Sequence, residues 1–243
     1  MKPTKYFELF LDSQLNHSSG YFSSDDVSLE SAQVAKIDEI LAKCQLEPDM
    51  RLLDVGCGWG AAVRAAATKY QVRATGITIE IEQYSYASRR EKEQSTVPCV
   101  DFRLQRWEEF TESVDRIICI NAFESFSDKR LFFSHCRGLL PRDGIMVMLS
   151  VTAERRIFRV MPKGEIIDLA TAAGFDVEVS DSLAAHYIRT LEHFVLRLNS
   201  NRDELTRLIG EADLARAIEY YSKSARFLES GMNDMFEFAF TAR

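Results

Sequence analysis

Past residue 28 the apolar positions fall into runs whose period alternates between helix and strand. Leu29, Val34, Ile37, Ile40 and Leu41 recur at helical spacing, with acidic residues early and Lys43 late, as a helix dipole favours. Pro48 is expected to end that helix. β-rich runs then predict strands over 51–55, 72–77, 100–104, 116–121 and 144–151, separated by helical patterns over 61–69, 80–93 and 129–139. A helix over 163–173, a strand over 176–183, a long helical region over 186–230 and a last strand over 235–240 follow. This alternation implies an α/β fold: a mostly parallel twisted sheet with helices on both faces and a helical insertion before the last strand. Residues 4–26, by contrast, mix Tyr6, Phe7, Phe10, Tyr21 and Phe22 with polar residues in no clean period, which predicts an irregular or weakly helical arm. No repeat and no Ser/Pro/Gly-rich linker divides the 243 residues. The chain therefore reads as one domain, with an arm (1–27), a core (28–151) and a set of later helices and strands (152–243).

Composition narrows the class. Hydrophobic residues at 46% and charged residues at 28% describe a chain with a substantial core, and 11 Gly and 5 Pro exclude collagen-like and low-complexity classes. The longest strong apolar run, 145–151, is far short of the ~20 residues of a membrane span. The opening MKPTKYFELF is too short and too charged for a secretory signal. Five cysteines (Cys44, Cys57, Cys99, Cys119 and Cys136) are odd in number and scattered, with no C-x-x-C pair. That usage argues for reduced thiols in a cytoplasmic protein and against a zinc site or a disulfide framework. A net charge of −7 and a pI near 5.3 are a poor start for binding nucleic acid.

The sharpest motif is Asp54-Val55-Gly56-Cys57-Gly58-Trp59-Gly60, directly after a predicted strand and before a predicted helix. Glycines belong where a tight strand-to-helix turn brings backbone N–H groups against a ligand. A dinucleotide fingerprint would put its third glycine at position 61, which is Ala61. The G-x-G-x-G spacing with an acid two residues upstream instead resembles the first motif of class I S-adenosylmethionine (SAM) methyltransferases, whose fold is Rossmann-like. The second strand ends at Thr78, where most of that class carry an acid for the ribose hydroxyls. Thr78 serves equally as a strand-end residue capping the next helix.

Together with Gln83, Thr78 points to one subfamily. The chain resembles the cyclopropane fatty acid synthases, in particular the mycolic acid cyclopropane synthases, over nearly its whole length. Ser18-Ser19-Gly20-Tyr21-Phe22 is similar to their S-C-A-Y-F segment, and Ala32-Gln33-Val34-Ala35-Lys36-Ile37-Asp38 to their A-Q-x-A-K-I-D helix. Leu52 to Gly60 is close to L-L-D-I-G-C-G-W-G. Gly76-Ile77-Thr78, Gln83, Trp107-Glu108, Ala122-Phe123-Glu124 and His186-Tyr187-x-Arg189-Thr190-Leu191 continue the match in order.

The resemblance implies SAM as cofactor and S-adenosylhomocysteine (SAH) as product. It places Gly56 and Gly58 against the methionine part, Thr78, Ile79 and Gln83 around the ribose and adenine, and Trp107 and Glu108 over the adenine. Ser18 of the arm touches the cofactor from above, and Asp54 and Ile120 complete the set. In such relatives an alkene attacks the methyl group and a base removes a proton from the resulting cation. Aromatic walls suit that cation, and Tyr21, Phe22, Phe123 and Tyr187 fall in the matched motifs. The resemblance also implies a bicarbonate base held by an arm Cys, a Glu, two His and a Tyr. Here Glu124 and Tyr187 remain as catalytic candidates, Ser19 stands for the Cys, and Ser125 and Leu149 replace the two His. Ser19 retains a hydroxyl, whereas Leu149 cannot hydrogen-bond, which counts against bicarbonate and ring closure. Between Val151 and Pro162 lies a segment much shorter than in such relatives. Its Arg155, Arg156 and Arg159 suit an acyl-carrier phosphate or an acidic membrane surface, or simply solvent.

Three activities fit these residues. The first is SAM-dependent methyl or methylene transfer to an unsaturated acyl chain or related lipid-like acceptor. The second is C- or N-methylation of a small natural-product acceptor on the same scaffold, with Glu124 orienting the acceptor or taking its proton. The third is a silent SAM-binding regulator, against which the intact glycine loop, Glu124 and Tyr187 argue.

Overall fold

The computed structural model describes residues 2–94, 99–156 and 159–243. Seven strands, β1 (Arg51–Val55), β2 (Arg73–Thr78), β3 (Val100–Leu104), β4 (Arg116–Ile120), β5 (Ile145–Ala153), β6 (Phe175–Val179) and β7 (Asn233–Ala242), form one sheet in the order β3-β2-β1-β4-β5-β7-β6. β1 to β5 pair in parallel, and β7 runs antiparallel between β5 and β6. The strand order reverses between β1 and β4, so their carboxyl ends open the crevice where a ligand binds in such sheets.

The helices are α1 (Thr4–Glu8), α2 (Leu29–Lys43), α3 (Ala61–Tyr70), α4 (Ile81–Gln94), α5 (Lys129–Leu139), α6 (Lys163–Ala172), α7 (Ala184–Ser200), α8 (Arg202–Ile209) and α9 (Glu211–Glu229). Alternation along β5 explains the layers. Met146 and Met148 face a core with Phe132, Phe133, Phe238 and Phe240, while Val147 and Leu149 face one with Ile40, Val63 and Ala66. A third core joins the arm to α7–α9 through Tyr6, Phe10, Leu191, Phe194 and Tyr221. Side-chain caps start two helices: Ser28 accepts from the Ser31 N–H at α2, and Asp128 from the Leu131 N–H at α5. Each is worth ~1 kcal/mol.

Of the expected boundaries that move, four do so for a clear local reason. α2 stops at Lys43, ahead of Pro48, because Gln45 adopts a left-handed backbone (φ 48°). β6 stops at Val179, although Ser180 and Leu183 still donate to Glu237 and Met235 of β7; Asp181 and Ser182 bulge between those bonds. The region 186–230 is three helices, broken at Asn201 and at Gly210 (φ 83°, ψ 152°). β7 is four residues longer than expected because it borrows register from both β5 and β6. The arm contributes only the short α1 before turning irregular. Among the described residues no helix is long and apolar enough to cross a membrane.

Candidate active site

The carboxyl ends of β1, β2 and β4, the arm and the turn after β3 enclose a cavity of about 590 Å³. Its shape begins with two glycines. Gly56 (φ 80°) sits where an added Cβ would lie 2.4 Å from the Ala122 Cβ, so the loops after β1 and β4 meet at a spot only glycine fits. Gly58 (φ 55°) lines the cavity, and a Cβ there would meet nothing within 4 Å. The backbone is thus bare where a ligand approaches.

Every residue expected to touch a cofactor lines this cavity: Ser18, Asp54, Gly56, Gly58, Thr78, Ile79, Gln83, Trp107, Glu108 and Ile120. Thr78 lines the cavity and also takes the capping role its sequence position allowed. Its Oγ1 accepts from the Glu80 N–H at 3.2 Å, capping the turn into α4, and donates to Gln83 Oε1 at 2.9 Å, which leaves the Gln83 amide for the cavity. Ile79 is 65% exposed, an apolar side chain presented where a flat ring would need one. Trp107 is buried edge-on against Phe132 and is also part of the core. Glu108 Oε1 accepts from Arg106 at 2.8 Å, whereas its Oε2 is buried without a partner. Asp54 Oδ1 and Asn121 Oδ1 are likewise buried, unpartnered and on the cavity wall. Unsatisfied buried acceptors are costly, and three around one cavity fit a ligand rich in N–H and cationic groups, as SAM is.

Burial raises the Asp54 carboxyl to about 7, with Lys36 pulling it partly back. Its folded value lies above the ordinary carboxylate value, so the unfolded chain holds fewer protons between pH ~4 and 7 and stability falls across that window. Asp54→Asn should therefore flatten the pH dependence. The melting temperature of the variant relative to wild type is expected to rise from pH 5 to pH 7.5. Equal pH slopes by calorimetry would show that Asp54 is ionised throughout.

The arm closes the cavity because α2 and α7 hold it. Gln33 Nε2 donates to the Ser18 carbonyl at 2.6 Å, and Lys36 Nζ donates to Ser18 Oγ at 2.9 Å. The Gly20 N–H donates to Thr190 Oγ1 at 2.9 Å and the Phe22 N–H to His186 Nδ1 at 3.1 Å. Arg189 donates to the carbonyls of Ser24 (2.7 Å) and Val27 (3.2 Å) and stacks 4.3 Å from the Phe22 ring. His17 bonds Tyr221 at 2.8 Å, and burial lowers it to about 4, so it is neutral at pH 7. Much of the H-Y-x-R-T-L motif is thus an arm clamp. Arg189→Lys should not replace it, because one ammonium cannot fan across several carbonyls and a ring. We expect chymotrypsin to cut the arm of Arg189→Lys at Tyr21 or Phe22 severalfold faster than that of wild type; equal rates would show that the clamp is redundant.

Glu124, Tyr187 and Ser19 are not among the residues lining this cavity. Glu124 follows β4, and its Oε1 accepts from the Val151 N–H (2.6 Å), Ser150 Oγ (3.1 Å) and Asn121 Nδ2 (3.3 Å). Oε2 is buried with no partner, and burial raises the carboxyl above its usual range. The helix after it is capped by Asp128 instead. Asn121 holds its side chain there from a left-handed backbone (φ 50°), which Asn tolerates. Tyr187 packs between two cores, the one that contains Leu149 and the one that joins the arm to α7–α9. Burial pushes its phenol up, with Tyr220 and then Glu124 adding to the effect. Ser19 departs from its expected catalytic place: it is fully buried and its Oγ donates to the Gly20 carbonyl at 3.1 Å.

Sequence reasoning passed over Lys36, Asn16 and His17 as cavity residues. One signal was available for Lys36. It sits on the buried stripe of α2 with Ala32, Gln33, Ile37 and Ile40, where a lysine needs a reason.

The comparisons with known proteins agree with this geometry. The mycolic acid cyclopropane synthetase family profile matches residues 3–238. The S-adenosylmethionine-dependent methyltransferase UmaA of Mycobacterium tuberculosis is 34% identical over 98% of this chain and 93% of its own. Cyclopropane mycolic acid synthase 3 of the same organism is 34% identical over 96% and 91%. The crystal structure of mycolic acid cyclopropane synthase CmaA1 with SAH and CTAB superposes with a TM-score of 0.93 at 34% identity, covering 98% of this chain and 94% of that one. Coclaurine N-methyltransferase, at 22% identity and a TM-score of 0.83 over 100% and 83%, shares the fold. With the glycine loop, the switch-point cavity and these matches together, the chain belongs to the mycolic acid cyclopropane synthetase family and is a SAM-dependent methyltransferase.

Proposed function

We propose that the enzyme transfers a methyl group to an unsaturated acyl chain or a related lipid-like acceptor, with Glu124 as the group that answers the positive charge. The buried Glu124 carboxylate carries this reading: three donors lock Oε1 and leave Oε2 without a protein partner. The cofactor supplies an electrophilic methyl on a cationic sulfur. An alkene that accepts a methyl becomes a cation and then loses a proton. A raised carboxyl held at the sheet edge suits both demands, and the Tyr187 ring adds a negative face. The ten cavity-lining residues named above would hold the cofactor.

Bicarbonate finds little support. Ser19 spends its hydroxyl on Gly20, Ser125 Oγ donates to the Ala122 carbonyl at 2.6 Å, and Leu149 is buried among apolar side chains. We therefore read the product as methylated rather than ring-closed, with the proton passing to Glu124. The segment after β5 is tied short: Ala153 bonds Met161, Arg156 pairs with Glu165, and Arg159 donates to the Ser125 carbonyl. The alignment to UmaA is 266 positions long, 23 more than this chain has residues. Both facts favour a more open acceptor side and a shorter acyl chain. With Arg156 and Arg159 engaged, exposed Arg155 is the charge left for an acyl-carrier phosphate or an acidic membrane surface.

The test is incubation with methyl-labelled SAM and a panel of lipid extract, unsaturated acyl carriers and amines. Label is expected in an acyl fraction, as a methyl branch by mass spectrometry, with added bicarbonate making no difference. Label in the amines alone would overturn the acyl reading, and a bicarbonate-dependent ring would overturn the role given to Glu124.

A further inference from the structure

We propose that Lys36 positions the amino-acid end of the cofactor, binding its carboxylate from inside α2 while it latches the arm. The proposal rests on the cavity being the SAM site and adds a residue to it. Lys36 is 1% exposed and lines the cavity. Its Nζ donates to Ser18 Oγ at 2.9 Å and more weakly to Asn16 Oδ1 at 3.4 Å, and both of those residues also line the cavity. An ammonium has three donors, so one remains. No carboxylate lies within 4 Å of Nζ among the described residues.

A buried cation without a paired anion is expensive unless something else completes it. The nearby charges are Asp12 and Asp54. Both Asp12 oxygens are committed to Gln14 and Asn16, while Asp54 Oδ1 is unpartnered. The cavity therefore carries one buried ammonium and one buried carboxyl, each with unused hydrogen-bonding capacity. A zwitterionic amino-acid tail matches that arrangement: its carboxylate completes Lys36 and its ammonium completes Asp54. The two hydroxyl and amide acceptors that Lys36 already engages belong to the arm, so the same residue closes the arm over the tail it holds.

The test compares SAH with 5′-methylthioadenosine, which lacks the amino-acid end. In Lys36→Met, loosening the arm weakens both ligands, and SAH affinity by calorimetry should fall about 10- to 100-fold further than methylthioadenosine affinity does, the range for a lost hydrogen bond to a charged group. Gln33→Leu is the control, because it unhooks the Ser18 carbonyl without touching charge; it should weaken both ligands equally. If Lys36→Met also weakens both equally, or neither, Lys36 is only an arm anchor and the proposal fails. Wild type binding neither ligand would instead undermine the cofactor site itself. Should Lys36→Met not fold, wild type is titrated with decarboxylated SAM. Affinity equal to that for SAM overturns the proposal, and at least about a tenfold loss supports it.

Discussion

Glu124→Gln is expected to lower kcat by ~10²–10⁴, the range for a lost general base, and to leave SAH affinity within a few-fold. The substitution keeps size, and an amide can keep the three bonds that hold Oε1 by presenting its carbonyl to Val151, Ser150 and Asn121. What changes is the other atom. Oε2, a buried oxygen without a protein partner, becomes an NH2 that can neither accept a proton nor stabilise a cation. Glu124 is absent from the cavity proposed to hold the cofactor, which is why binding should survive. The measurement is turnover of a confirmed acceptor beside calorimetry with SAH. Wild-type turnover in Glu124→Gln would make Glu124 structural. A loss of SAH binding would mean that the β4 loop, rather than the carboxylate, had been disturbed.

Gly58→Val is expected to abolish SAH binding and activity while the protein still folds. The added side chain has room, since a Cβ at Gly58 meets nothing within 4 Å, and that room is the cavity. The left-handed backbone costs a non-glycine residue ~1–2 kcal/mol, or a fall in melting temperature of ~2–8 °C at this size. SAH at 100 times its dissociation constant stabilises wild type by ~2.7 kcal/mol, and that shift should vanish in the variant. Gly56→Ala is the contrast. Its Cβ would strike the Ala122 Cβ at 2.4 Å, so it should destabilise the fold itself by pushing the β1 and β4 loops apart. Retained SAH binding by Gly58→Val would place the cofactor tail elsewhere.

Local chemistry is what the chain states about itself without help. β1, β3 and α5 fall on 51–55, 100–104 and 129–139 as their periodicity predicts, because a strand's alternation and a helix's i, i+4 stripe are relations between near neighbours. The glycine loop is legible for the same reason: a strand, two left-handed glycines and a helix start lie within a few residues of each other. The family motifs pointed to the rest of the residues that line the cavity. The three helices of 184–229 merge in the pattern, since Asn201 and Gly210 interrupt it too briefly to reset its period.

Only the tertiary structure decided which distant residues share work. Gly20 meets Thr190 across 170 residues, His186 meets Phe22 across 164, and Lys43 reaches Glu237 across 194. Such pairings leave no trace in local spacing, so the arm clamp was visible as a motif but not as a clamp. The hydroxyl of Ser19 turned to Gly20 for the same reason: the fold buries it completely, and a buried hydroxyl takes the nearest acceptor. Sequence alone thus determined the sheet-and-helix layering, the glycine loop and the family. The packing of α2 and α7 against the arm determined which of its polar groups face the cavity and which are spent inside the fold, because burial forces each one to find its partner in three dimensions.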